Sequence, residues 1–151
     1  MTETSGPGLS RAEEPLILCY DGSTGAADAI RQAGALFTDS QALVLTVWLA
    51  PMVNNVELDR AAADRAGRLA DEGARVAQAA GLQAEPLPVK AQGAIWETIV
   101  ETANRHDAGT IVMGSRGVTG IRAMLLGSVS NAVVHHAERP TLIVRSPLAR
   151  A

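Results

Sequence analysis

The 151-residue chain is 47% apolar and carries 13 basic against 16 acidic residues, a formal net charge of −3. One domain of this size buries roughly 68 to 70 percent of its unfolded surface, so a single core suffices. Aromatic residues make up only 3%, which argues against the stacking platforms and basic groove of single-stranded nucleic acid binding and leaves no polyanion partner expected.

Met1 to Glu14 is rich in Gly, Ser, Thr, Glu and Pro, with no basic n-region and no long apolar core. It reads as a disordered tail rather than a signal peptide, ahead of a folded domain over 15–146 and a short C-terminal tail over 147–151. No apolar run approaches the roughly 18 residues of a membrane span. The first apolar run predicts a strand over 16–20. Its Cys19 is the lone cysteine. It is expected as a buried structural thiol; with no intrachain disulfide available, a reducing cytoplasm is the expected compartment. Asp21 follows the strand and precedes Gly22, which leaves two readings: a carboxylate at a crevice mouth that accepts a ribose hydroxyl or positions a phosphate-bound Mg2+, or an Asx-type turn that caps the next helix. That helix is expected over 24–37, with Ser23 and Thr24 at its cap.

A second strand over 42–48 leads into Ala50–Val56, which has neither helical nor strand period and reads as a loop over the strand end, a lid above a bound base. The helix over 58–80 carries Arg60, Asp64, Arg68 and Glu72 in one line and Asp71 and Arg75 in a second, the i,i+4 pattern of a solvated face. Pro86 and Pro88 interrupt the strand over 83–89 and place it at a sheet edge, because proline donates nothing to a ladder. A helix over 94–105, a strand over 109–113, a helix over 128–137 and a strand over 141–145 complete the order. This βαβ alternation predicts an α/β single domain: a five-stranded parallel open sheet with helices on both faces and right-handed crossovers. Ligands of such folds sit beyond the carboxyl ends of the strands, where the winding reverses. The last strand has proline only at its entrance. As the opposite edge it would stay open for a symmetric dimer contact, unless the tail or Pro147 covers it.

The segment Gly114 to Ser128 is the most informative. It follows the buried run Ile111-Val112-Met113, opens on glycines, holds Arg116 and Arg122 and no acid, and ends where Ser128 is expected as a helix N-cap. Free amides of that first turn and the helix dipole favour a phosphate. The dipole contributes about 0.3 to 1 kcal/mol, up to roughly 2 when partly buried, against about 8 kcal/mol for micromolar binding. A base or sugar pocket is therefore implied beside the phosphate.

The spacing Gly114-x2-Gly117-x9-Gly127-Ser128 after Val112-Met113 resembles the motif of nucleotide-binding members of the universal stress protein family. Three further stretches match that family: Ile17-Leu18-Cys19-Tyr20-Asp21-Gly22-Ser23, Leu126-Gly127-Ser128-Val129-Ser130 and Arg139-Pro140-Thr141-Leu142-Ile143-Val144-Arg145. The resemblance covers about residues 15 to 146 and implies strand order 3-2-1-4-5 in a Rossmann-like, adenine nucleotide alpha-hydrolase-like fold. It implies a binding set of Tyr20, Asp21, Gly22, Val47, Met113, Gly114, Arg116, Gly117, Gly127, Ser128, Val129 and Ser130. In that set the Val47 backbone reaches adenine, Gly114, Arg116 and Gly117 surround ribose and phosphates, and Gly127 to Ser130 hold phosphates. ATP with Mg2+ placed through Asp21, a homodimer through Thr141 to Arg145 and an unidentified downstream protein partner complete the expectation. Gly120 and Arg122 fall where the family varies.

His135 and His136 are adjacent and lack the i,i+4 spacing of a zinc pair, and His106 sits in a turn, so all three are expected to be structural. No Gly-x-Ser-x-Gly elbow, Walker lysine or kinase signature is present, and no general base is visible. The leading expectation is an ATP-binding stress-response or signalling module. The alternatives are a slow ATPase or nucleotide-transfer enzyme using Asp21 and the arginines, a nucleotide-independent adaptor, and an AMP or cyclic AMP binder.

Overall fold

The structure is a computed structural model and describes residues 14–116 and 126–145. Its elements are β1 (Leu16–Cys19), α1 (Thr24–Leu36), β2 (Gln41–Trp48), α2 (Val56–Ala79), β3 (Gln83–Lys90), α3 (Ile95–Arg105), β4 (Thr110–Gly114), α4 (Ser128–His136) and β5 (Thr141–Val144). The strands form one five-stranded sheet in the order β3-β2-β1-β4-β5, parallel throughout. The expected order and helix placement hold. Pro86 pairs with Val44 and Pro88 with Thr46, so both prolines lie on an edge strand where their missing N–H costs no ladder bond.

Strand side chains alternate between faces, and the core divides accordingly. Leu18, Val44 and Val112 pack with Ala26, Ala29, Ile30 and Ala33 of α1 and Ala74 and Ala77 of α2. Ile17, Leu45, Ile111 and Met113 pack on the other face with Ile99 and Ala103 of α3 and Val133 of α4. The alanines of α1 and α2 bring those helices close to the sheet, which is how a chain poor in aromatics fills its interior. Among the described residues no helix is long and apolar enough to cross a membrane.

Caps set the helix starts. Ser23 accepts the Ala26 amide at 3.1 Å, as expected of a cap. Helix α2 starts at Val56, earlier than its apolar period, because the Asn55 side chain accepts the Glu57 and Leu58 amides. Helix α4 differs from expectation in its cap: Gly127 occupies that position, Ser128 is the first helical residue, and no side chain among the described residues caps the turn.

Candidate functional site

Strands β1 and β4 are neighbours whose following helices cover opposite faces, so their carboxyl ends part and leave a crevice. The chain leaving β1 stays beside β2: the Tyr20 amide donates to the Leu45 carbonyl at 2.9 Å, and the buried Thr46 hydroxyl donates to the Tyr20 carbonyl at 2.8 Å. Asp21 then accepts the Ser23 amide on Oδ1 at 2.9 Å, an Asx-type turn, one of the two readings of this residue, with Gly22 at φ +86°, a conformation that favours glycine.

On the other side of the crevice, Ser115 ties β4 to its surroundings. Its amide donates to the Val144 carbonyl at 3.0 Å, and its carbonyl accepts the Gly127 amide at 2.6 Å and the Ser130 hydroxyl at 2.9 Å. These bonds bring the first turn of α4 against the end of β4. With Gly127 as the cap and no capping side chain among the described residues, the Ser128, Val129 and Ser130 amides are the turn's donors without intrahelical acceptors.

A cavity of about 370 Å³ lies between these two ends, within the usual size of small-molecule sites. Tyr20, Asp21, Val47, Met113, Gly114, Arg116, Gly127, Ser128, Val129 and Ser130 all line it. Gly22 belongs to the turn but is not part of the lining, and Gly117, Gly120 and Arg122 lie outside the described residues. The lining also includes Cys19, Ser23, Ala26, Leu45, Ile95 and Ile99, which sequence reasoning did not place there. Ile95 and Ile99 stand one turn apart on α3, an i,i+4 pair whose apolar pattern marks an inward face without telling core from cavity wall. None of residues 50–56 lines the cavity, so the expected lid is not over it. Met52, Val53 and Val56 are exposed instead.

The cavity is chemically divided. Cys19, Leu45, Val47, Ile95, Ile99 and Met113 supply an apolar half, while Asp21, Ser23, Arg116, Ser128 and Ser130 and the α4 amides supply a polar one. Cys19 keeps partial exposure where the cavity opens on it, yet burial pushes its thiol up to about 12, with the Asp21 charge adding to the effect. Burial also raises the Tyr20 phenol, helped by the Glu72 carboxylate. Among the described residues Asp21 is the one carboxylate in this lining, and no cluster of three or more His, Cys, Asp or Glu metal ligands occurs. Mg2+ commonly binds through one or two carboxylates plus substrate phosphates, so these residues fit an ion carried in by a phosphate chain and not one held by the protein alone. The histidines stand apart from the cavity lining: His136 stacks on Trp96 with ring centroids 4.3 Å apart.

A parallel sheet wound in both directions, with a cavity and helix amides at its switch point, defines a doubly wound α/β domain. The universal stress protein family model matches residues 14–145, and the chain belongs to that family. A Thermus aquaticus relative, named the universal stress protein in the QAH/OAS sulfhydrylase 3'region, is 32% identical over 143 residues, covering 86% of this chain and 97% of that protein. Universal stress protein MJ0531 of Methanocaldococcus jannaschii is 47% identical over 49 residues, 32% of this chain; the match spans only 29% of that protein's length. Among solved structures, hypothetical protein MJ0577 superposes with a TM-score of 0.78 at 23% identity, covering 91% of this chain and 99% of that one. A universal stress protein solved in complex with cAMP gives 0.69 at 26% identity, covering 89% and 98%. One from Archaeoglobus fulgidus in complex with dAMP gives 0.67 at 21%, covering 87% and 98%.

Proposed function

We propose that the protein is a cytoplasmic, dimeric universal stress protein that binds ATP in the switch-point cavity and passes its occupancy to a partner protein. The observation that carries this reading is the division of the cavity: an apolar half suited to a base lies beside an uncapped helix N-terminus and Arg116, which suit phosphates. The base lies against Val47, Ile95 and Ile99, Asp21 accepts from the ribose or positions Mg2+, and the phosphates take the Ser128, Val129 and Ser130 amides with Arg116. The neighbours solved with cAMP and dAMP support an adenine nucleotide as the ligand class. The twofold contact runs along β5, a sheet edge.

Millimolar ATP should raise the melting temperature and slow amide exchange over 113–116 and 126–130. If both stay at their ligand-free values, the reading fails. A second reading, a single-phosphate ligand such as AMP or cyclic AMP, is favoured by the same cAMP and dAMP complexes. Affinities of ATP, AMP and cyclic AMP measured side by side decide between the two.

A further inference from the structure

We infer that ligand occupancy at the start of α4 and strand pairing at the β5 edge are thermodynamically linked through Ser115, an inference that rests on the nucleotide reading above. Ser115 is 3% exposed and holds both elements at once. Its amide donates to the carbonyl of Val144, the last residue of β5. Its carbonyl receives the Gly127 amide at 2.6 Å and the Ser130 hydroxyl at 2.9 Å. Gly114, one residue earlier, lines the cavity and pairs with Val144 in the ladder.

The outer side of β5 follows from the same bonds. The Ile111 amide donates to the Pro140 carbonyl and the Ser115 amide to the Val144 carbonyl. In a parallel ladder alternate residues turn their peptide groups to the same neighbour, so Thr141 and Ile143 turn theirs outward, toward the side where a second copy would add its own edge strand. A phosphate that takes the Ser128 to Ser130 amides holds the turn that grips Ser115, and Ser115 holds the end of β5. Ordering one side lowers the conformational entropy left to lose on the other, which couples the two events without a new contact. The coupling is reciprocal: whatever factor ATP applies to self-association, self-association applies to ATP affinity.

The test is sedimentation of the full chain with and without saturating ATP, beside ATP titrations at protein concentrations below and above the dimer constant. The expected result is self-association tightened about fivefold or more, within the range of known allosteric couplings, with ATP affinity shifting by the same factor and exchange of the Ser115 amide slowed by ATP. In Ser130→Ala, which removes one of the two bonds to the Ser115 carbonyl, the ratio of dimer constants with and without ATP should fall toward one. Bound ATP with an unchanged dimer constant, absence of self-association in both conditions, or an unaltered ratio in Ser130→Ala would each overturn the linkage and leave the nucleotide reading standing. An unaltered Ser115 amide in the native sequence overturns it equally, without any variant. No binding of ATP at millimolar concentration would instead remove the nucleotide reading, and the linkage with it.

Discussion

The Tyr20 ring closes over Gly73 of α2: a Cβ at position 73 would lie 2.6 Å from Tyr20 Cδ1 and 2.7 Å from Val44 Cγ1. Helix α2 therefore positions a cavity residue that is itself only 5% exposed. The missing side chain at 73 is a slot for the ring, and the helix gives up some intrinsic stability to provide it.

Filling that slot is the first prediction. Gly73→Ala gains helix propensity of about 0.8 to 1 kcal/mol, but it must displace an aromatic ring in a packed core, an overpacking cost of about 1 to 3 kcal/mol. A net loss of stability is expected, together with a shift of the Tyr20 ring in the crystal. A gain in urea midpoint would show that the ring yields freely and that the slot has no packing role.

Two glycines of the expected site separate into different roles. A Cβ on Gly114 would sit 3.1 Å from the carbonyl carbon and oxygen of Gly25 in α1, whereas one on Gly127 meets nothing among the described residues nearer than the Ser115 carbonyl oxygen at 3.4 Å. Gly114→Ala should thus cost about 1 to 3 kcal/mol in the absence of any ligand. Gly127→Ala loses only the difference between Gly and Ala at an N-cap, about 0.5 to 1 kcal/mol, while its methyl group would lie beside Arg116 and Ser130 of the proposed phosphate corner. ATP affinity in Gly127→Ala should fall at least about tenfold, a loss of about 1.4 kcal/mol, in a protein that still folds. Calorimetric titration beside thermal melts measures both, and native ATP affinity in a folded Gly127→Ala would remove phosphate from that corner.

How far the sequence reaches is visible in these same residues. The apolar runs, Pro86 and Pro88 were enough for a parallel sheet and one edge, because a buried parallel strand and a proline each have few permitted positions, while the strand order was implied by the family resemblance. Both ends of the cavity were legible too, since Asp21-Gly22 and the Gly114 segment leave strand termini. The α4 cap was not. A serine ahead of a helix usually caps it, but α4 begins one residue earlier than expected: Gly127 takes the cap and Ser128 is the first helical residue. Ser115, Gly73 and the Ile95–Ile99 wall were also missed. Their roles depend on which elements the crossovers bring together, and local pattern carries no trace of that.

Arg139 offers a test of the base of the fold, away from the cavity. Its guanidinium donates to the Ala108 carbonyl at 2.7 Å and to Asn104 Oδ1 at 3.0 Å, and it reaches Asp107 Oδ1 at 3.4 Å. Asp107 has a side chain 88% exposed, so its ion pair contributes little. Ala108 is 1% exposed, and its carbonyl loses a donor when the arginine goes. Arg139→Ala should cost about 1 to 3 kcal/mol. Asp107→Asn should stay within about 0.5 kcal/mol, since asparagine tolerates the φ of +49° at this position. Equal losses in denaturant melts of the two variants would contradict the assignment of the energy to the Ala108 bond.

The Cys19 thiol provides a pH prediction with a definite sign. In the fold it is pushed up to about 12, while the unfolded thiol ionises near 9.0. Below pH 9 both states hold the proton and the group adds no pH dependence. Above it the unfolded chain releases a proton that the folded chain keeps, so stability falls as pH rises from about 9 toward 12. Cys19→Ser removes the thiol titration, so its stability curve should be flatter than that of the native chain across that window. At neutral pH the thiolate fraction is negligible, and Ellman's reagent should react with the native protein far more slowly than with the urea-unfolded chain. Rapid native labelling at pH 7 would show the thiol open to solvent as a nucleophile and would undo the pH argument with it; slow labelling that adenine nucleotide slows further would place the ligand directly against this wall of the cavity.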